Sequence, residues 1–551
     1  MGELSSNWIA LFVVIPMATA ILTTMMRGSK PRQRYVGVLS LMVTFVLGVG
    51  WTFTSIEQGP IVSQMGQWPA PFGISLVFDA FSGMLIATTS LVTIGCLLFA
   101  TETIEEAEPR GWMHPLVHLL VLGVQFSLLT GDLFNLFVAF EIMLMSSYAL
   151  LVIGGSKRQL TQAYKYVMLN LIGSTIFVIA AGLVYGMMGT LNFADLSRIV
   201  HETPASELPS VFPAVATMLL FVFAIKAAAF PLWFWLPDTY HTCPVAIGAL
   251  FGGLLTKVGI YAMARVYPMV FAAESVQQLS PVIWILLIAA GGTMLISTLG
   301  ALAMVELRRI LALLMISSLG YQIFGIALMG SDALAGTSFY MVQSMVVTAA
   351  SLLCCGLIER HTGTDDIRKL GGLLQRAPGL SMMFFVVMMA LVGLPPMSSF
   401  FGKALLLREG FTSGNDAAFA VSIIGLVAGA ITLLVMARVW VRVFWLTPDE
   451  HTLIPFVGRR RPAYAGVLVL VGGVLVLSFG AEGVMRASKV VGRDLVDPSA
   501  YISKVLPHER WHGVARVEDA PVEGITENPA ETSNGSMIHA SPDREQEERH
   551  Q

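Results

Sequence analysis

The chain has 551 residues, of which 55% are hydrophobic and only 13% charged, with a formal net charge of −3. That is half the roughly 25% charged content of a soluble chain, too little to coat several water-exposed domains of this combined length. Lipid must be the solvent for most of it, and the near-neutral balance excludes a basic face for nucleic acid.

Apolar runs of 18 or more residues predict an all-α polytopic membrane protein with about fourteen transmembrane helices. In chain order they fall at 7–26, 36–55, 75–100, 113–130, 132–154, 160–189, 210–236, 243–267, 281–304, 308–329, 334–359, 380–409, 418–446 and 463–482. The first run has no basic residues ahead of it, so it reads as a retained helix and not a cleaved signal. Basic residues gather in alternate loops: Arg27 to Arg34, Lys157 and Arg158, Arg308 and Arg309, Arg360 to Arg376, Arg442, and Arg459 to Arg461. Arg198, Arg265 and Arg408 are exceptions. The positive-inside rule then places those loops in the cytoplasm of a bacterial inner (plasma) membrane and both termini outside it. The stretch 485–551 turns polar, and it is expected to be a disordered extracytoplasmic tail. Cys96, Cys243, Cys354 and Cys355 lie in or beside apolar stretches without a C-x-x-C pair, so no disulfide framework, zinc site or iron–sulfur cluster is assigned. No Walker A or dinucleotide fingerprint is present, so no nucleotide and no cofactor is expected.

Two segments stand apart. Ala224-Ile-Lys-Ala-Ala-Ala-Phe-Pro-Leu-Trp places Pro231 inside the seventh helix, and Gly393-Leu-Pro-Pro-Met-Ser-Ser-Phe-Phe-Gly-Lys places Pro395 and Pro396 inside the twelfth. Proline removes a backbone donor and clashes with the preceding turn, so both helices should break at mid-membrane. The breaks are five helices apart, and an odd offset reverses direction across the membrane. The spacing therefore predicts inverted five-helix repeats, helices 4–8 (113–268) and 9–13 (280–447). Helices 1–3 (1–112) precede them and helix 14 (460–484) follows. Matched broken helices in two halves point to a transport site.

Charges at mid-membrane cost about 2.5–3.5 kcal/mol each and persist where they are paired, hydrated or useful. Glu141 lies in the middle of the fifth helix, Lys226 just before the first break, Lys257 deep in the eighth helix, and Lys403 after the second break. One acid and three bases at depth make a proton-relay composition, in which separating an ion pair desolvates the lysine and frees its proton. The alternative is a set of buried salt bridges that fix helix packing. Lys165 lies within a turn or two of its helix start and can snorkel. Asp79 sits at the outer end of the third helix, where an interfacial role is expected. His241 is a candidate entry group. His114 and His118 share a face at i, i+4 but lack a third ligand nearby, so no metal site is assigned.

These residues resemble the antiporter-like membrane subunits shared by Mrp-type multisubunit cation/proton antiporters and respiratory NADH–quinone oxidoreductase. The resemblance spans roughly 5–485. It rests on the acidic fifth helix, the Lys226 segment running into Phe-Pro-Leu-Trp-Phe-Trp-Leu-Pro, Leu254-Leu-Thr-Lys-Val-Gly-Ile-Tyr, Glu306-Leu-Arg-Arg-Ile-Leu-Ala, Ser318-Leu-Gly-Tyr, and Gly-Leu-Pro-Pro before Lys403. The stretches Asp132–Gly155 and Pro244–Tyr261 look most like the D-type subunits of Mrp antiporters. The resemblance implies that Glu141 and Lys226 form a coupling pair, that Lys257 is the central relay lysine and Lys403 the terminal one, and that Lys165 lies near the pair. Some relatives carry His or Lys on the eleventh helix; here it reads Tyr340-Met-Val-Gln-Ser-Met-Val-Val-Thr. A path from Lys257 to Lys403 must then use water, Gln343, Ser344 or Thr348, or be interrupted.

Three functions follow from this reading. The first is a proton-translocating subunit of a multisubunit Na+/H+ antiporter, with other membrane subunits as partners. The second is a proton-pumping subunit of NADH–quinone oxidoreductase or a membrane hydrogenase, with the same relay driven by redox partners. The third is a scaffold subunit whose charges only pack helices. None makes the chain an enzyme by itself.

Overall fold

The computed structural model describes residues 6–104, 110–204, 206–271, 280–446 and 461–506. Its elements are α1 (Leu11–Met25), α2 (Lys30–Gln58), β1 (Ile61–Gln64), β2 (Ser75–Phe78), α3 (Ala80–Thr103), α4 (Met113–Leu129), α5 (Leu133–Leu151), α6 (Lys157–Met188), α7 (Phe193–Glu202), α8 (Phe212–Ala227), α9 (Leu236–Thr242) and α10 (Val245–Val266). There follow α11 (Ser280–Ala303), α12 (Leu307–Leu328), α13 (Ser331–Thr362), α14 (Leu373–Arg376), α15 (Pro378–Val392), α16 (Ser398–Thr412), α17 (Asp416–Trp440), α18 (Arg461–Phe479), α19 (Ala481–Val496) and α20 (Ser499–Val505).

Among the described residues, 11 helices are long and apolar enough to cross a membrane. Three shorter apolar helices, α4, α8 and α15, fill the fourth, seventh and twelfth places. α8 and α15 are short because they are the first halves of the two broken spans. α10, α12 and α13 are buried almost throughout, whereas α1, α2, α6, α17 and α18 leave one side open. A helix apolar all round belongs either inside such a bundle or against lipid, and both kinds occur here.

The two halves share a backbone device. Leu133 N–H donates to Leu191 O at 2.9 Å and Phe193 N–H to Gly131 O at 2.8 Å. In the second half, Leu307 N–H donates to Asp365 O at 2.8 Å and Ile367 N–H to Val305 O at 2.9 Å. Each pair ties the entry of one span to the exit of the next, so orphan backbone groups at the helix ends are satisfied without water. The first bridge adjoins the β-hairpin, where Gly131 N–H meets Ser75 O. The second adjoins Arg308 and Glu359.

Two expectations need correction. Ser75–Phe78 is not helical: it pairs antiparallel with β1, and α3 begins behind Asp79, whose side chain accepts from Ser82 N–H in a capping box. All-round apolarity cannot separate a short strand from a helix start. The ten-residue α7 is too short to register as a span. Residues 485–506, expected within a disordered tail, instead form most of α19 and all of α20. α19 is amphipathic, burying Ala487, Ser488, Val491, Gly492 and Leu495 along one stripe, and it lies across α13 and α3. Its buried face is built from small residues, which a search for large apolar groups passes over. The rest of that tail, 507–551, and the basic Arg459 and Arg460 lie outside the described residues.

Candidate functional site

Both breaks fall where the prolines predict them. α8 stops at Ala227, Ala228 adopts φ 54°, and Ala229 N–H folds back to Ala224 O at 2.9 Å. The chain then runs irregularly through Phe230 and Pro231, with Phe230 N–H held by Thr293 Oγ1 at 2.9 Å, before α9 resumes. α15 stops at Val392, Gly393 takes φ 88°, and Pro395 and Pro396 separate it from α16.

A broken helix leaves carbonyls unpaired at a negative dipole end, which favours a cation. Lys403 supplies it. Its Nζ reaches back across the second break to Val392 O at 2.9 Å and Leu391 O at 3.3 Å. Its ammonium also lies 5.1 Å from the ring centre of Tyr321 and 6.0 Å from that of Tyr340. The lysine therefore sits where α12, α13 and the break converge.

At the first break the arrangement differs. Lys226, buried at 5% exposure, does not pair directly with Glu141. Ser174 of α6 stands between them: its hydroxyl donates to Glu141 Oε1 and accepts from Lys226 Nζ at 3.5 Å. One hydroxyl thus joins an acid from α5 to a base from α8. Phe140, Phe177 and Phe223 close around Lys226 with ring centres 5.6–6.4 Å apart, the ammonium 5.6 Å from Phe140. Such a collar limits access by water and raises the electrostatic stakes of each charge inside it. Lys165, on the same helix as Ser174, is exposed on the outer surface of the bundle and is not brought to this pair.

Lys257 is fully enclosed in α10 and donates to Gly252 O at 2.8 Å. α10 presses against the end of α8, because Gly259 lacks a side chain: a Cβ there would lie 2.6 Å from the Ala227 amide nitrogen. Thr348 packs on Gly252 from α13. Toward Lys403, Gln322 Nε2 donates to Ser344 Oγ at 2.9 Å. Gln322 Oε1, Gln343 Oε1 and Thr256 Oγ1 are buried without a partner in the chain. Buried polar atoms of this kind call for bridging water. Gln322, which the sequence reading passed over, thus meets Ser344, one of the residues expected as connectors.

His241 lines a polar cavity of about 350 Å³ with Arg308, Glu359, Arg360, Gly363, Thr364 and Asp365. His241 Nε2 lies 3.4 Å from Asp365 Oδ2, and Arg158 reaches the other ring nitrogen at 3.4 Å. Arg308 forms a bidentate pair with Glu359 and donates to His241 O and Cys243 O at 3.2 and 3.1 Å. Burial works to raise the Asp365 carboxyl, but the hydrogen bond and charge of His241, with Arg308, outweigh it and hold it below the usual carboxylate range. Between this cavity and the Glu141 site, Tyr240 Oη and Trp235 Nε1 are buried without partners, and Tyr166 Oη meets Ser147 Oγ at 3.1 Å.

Two spans broken at matching places, each with a lysine at its break, inside a bundle of apolar helices, define a polytopic membrane transport subunit. Residues 130–432 match the family described as NADH:quinone oxidoreductase/Mrp antiporter, transmembrane. The chain is 36% identical over 501 residues to the D-type subunit of the Na+/H+ antiporter of Alkalihalophilus pseudofirmus, an alignment that covers 91% of this chain and 99% of the relative. It superposes on a chain of the Mrp complex from a Dietzia species with TM-score 0.81 at 31% identity, covering 91% and 99% of the two chains. It also superposes on a chain of an archaeal respiratory membrane complex, the membrane-bound sulfane sulfur reductase, with TM-score 0.82 at 26% identity, covering 90% and 99%. The chain belongs to the NADH:quinone oxidoreductase/Mrp antiporter membrane-subunit family.

Proposed function

We propose that this chain is the proton-translocating subunit of a multisubunit Na+/H+ antiporter, and that it carries protons along a buried polar axis whose far end couples to cation export by neighbouring subunits. Protons enter from the cytoplasm, or leave to it, at the His241–Asp365 cavity, and pass Tyr240, Trp235 and Tyr166 to the Glu141–Ser174–Lys226 site. From there Lys257, a water-filled connector along Thr256, Gln343, Gln322 and Ser344, and Lys403 complete the axis. Both termini lie outside the cytoplasm, the side opposite the basic loops. Lys165 serves the surface of the bundle, not the relay.

The observation that carries this reading is the Ser174 hydroxyl shared between a membrane-buried acid and base. A packing bridge needs no intermediary, whereas a hydroxyl that donates to one and accepts from the other is a proton conductor between them. The likeness to D-type antiporter subunits over nearly their whole length supports the choice of an antiporter.

The test is Glu141→Gln in the assembled complex, assayed by Na+-driven collapse of a pH gradient in everted vesicles. Transport should vanish while assembly survives; retained transport would reduce Glu141 to a packing residue. The likeness to a respiratory complex favours one second reading, a redox-driven pump. Gentle extraction and mass spectrometry separate the two: flavin or iron–sulfur subunits bound to the chain would replace the antiporter reading.

A further inference from the structure

The second break is held closed by side chains, and one of them comes from outside the broken span. α16 opens with Ser398 and Ser399. A helix start leaves orphan N–H groups, which a serine, threonine, aspartate or asparagine at the preceding position caps. That position here is Met397, whose side chain makes no capping bond. The Ser399 hydroxyl is turned away from the helix start: it reaches back across the break and donates to Ala390 O, in the last turn of α15.

The cap comes instead from α18. Ser478, near the end of that helix, donates its hydroxyl proton to Val474 O at 2.8 Å, one turn back. Its oxygen is left to accept, and Ser398 N–H donates to it at 3.1 Å. Ser398 Oγ lies 3.5 Å from the same oxygen. Ser398, Ser399 and Ser478 are all buried.

Ser399 and Lys403 stand at i and i+4, so they share one face of α16. Both engage the end of α15: Ser399 holds Ala390 O, and Lys403 holds Leu391 O and Val392 O. Three consecutive carbonyls at the negative end of one half-helix are thus met by a single face of the other. How far the Lys403 ammonium reaches depends on where α16 starts, and Ser478 pins that start to α18. A cap that served stability alone could sit at position 397, on the chain itself. Supplied from α18, it also fixes α16 against a third helix. The first break is built otherwise, with Lys226 turned to Ser174 of α6 and to the ring of Phe140.

We propose that Ser478 is a positioning residue for the terminal proton site: by capping α16 from α18 it sets the register of the two half-helices, and so holds Lys403 against the carbonyl end of α15. Ser399 is the second tie in the same joint. Without the Ser478 oxygen, the start of α16 is free to shift, and the carbonyls around the Lys403 amine change with it. The titratable groups against Lys403 are Tyr321 of α12 and Tyr340 of α13. Arg408 and Glu409 lie further along α16, α15 carries none, and Asp416 and Arg438 lie near the two ends of α17. Tyr464 of α18 is taken up by His361 at 2.7 Å.

This role rests on the relay reading, in which Lys403 ends the axis, and the experiment separates the two. The whole complex in everted vesicles is compared with Ser478→Ala, Ser478→Thr, Ser478→Ala with Met397→Ser, and Lys403→Ala versions, each rate being taken per assembled complex. Loss of one hydrogen bond should slow Ser478→Ala by about threefold to tenfold. Its pH profile should also move, and Ser478→Thr should restore rate and profile together. Met397→Ser returns a cap to α16 without the tie to α18, so the double version should assemble as wild type does and still run slowly with the moved profile. This version keeps the test open if Ser478→Ala alone fails to assemble. A wild-type rate and profile in the double version overturns the proposal, because any cap then suffices. So does a Ser478→Ala rate lowered evenly at every pH, the mark of a merely structural serine. With Lys403→Ala inactive, a Ser478→Ala complex of wild-type rate and profile overturns the positioning role alone. An active Lys403→Ala version overturns the last step of the relay, and the positioning role with it.

Discussion

Replacing Ser174 by alanine removes one hydroxyl and little volume, so it isolates the link between Glu141 and Lys226. The hydroxyl donates to a carboxylate and accepts from an ammonium, and hydrogen bonds to charged groups contribute about 1.5–3 kcal/mol. If that link is made in the proton-transfer step and lost in its absence, the barrier rises by this amount, which is a slowing of about 10- to 100-fold at 1.4 kcal/mol per decade. Initial rates of Na+-driven pH-gradient collapse in everted vesicles measure it, with complex assembly checked on native gels. Ser174→Thr keeps the hydroxyl and should retain most of the rate. An assembled Ser174→Ala complex running at the wild-type rate would show that protons do not pass between Glu141 and Lys226 through this group.

Gln322→Leu removes the amide that holds Ser344 and should slow transport by about tenfold without loss of assembly; a normal rate would move the connector elsewhere. Gly393→Ala places a side chain at φ 88° and a Cβ 3.1 Å from Lys403 Cδ. Left-handed backbone alone costs about 1–2 kcal/mol, so the purified complex should aggregate at a lower temperature. Asp494 predicts a pH effect on α19. Its carboxyl in the folded chain lies near 6, above the ordinary ~3.9, so docking of α19 is favoured fully below about pH 4 and weakens as pH rises through 6. Hydrogen exchange of α19 should quicken over that range, and Asp494→Asn should flatten the response.

The helical spans were legible because lipid-length apolar runs admit few other structures, and the breaks because Pro231, Pro395 and Pro396 forbid continuous helices. Depth in the membrane likewise singled out Glu141, Lys226, Lys257 and Lys403. Their partners were not legible. Ser174 and Gln322 are small or neutral polar residues, common in membrane helices, and only packing shows that one lies between two charges and the other against Ser344. Arg308 read as a loop charge and Glu359 and Asp365 were passed over, until folding brings all three to one cavity. α19 was missed because its buried stripe consists of alanine, serine and glycine as much as valine and leucine, and its exposed side is as polar as a tail. The β-hairpin was absorbed into a neighbouring helix because Ser75–Phe78 is too short to show a period.

Where Gly259 lets α10 rest on Ala227, backbone meets backbone and no side chain is present to yield. Lys226 is the neighbour of Ala227, and Lys257 precedes Gly259 by two residues. A tilt of the half-helix α8 would therefore be transmitted to α10 as displacement of the main chain. The two lysines ride on opposite sides of one hard joint, so protonation at the first can reach the second as motion as well as field. Stiffness at a single glycine then sets how faithfully the Lys226 site reports to Lys257.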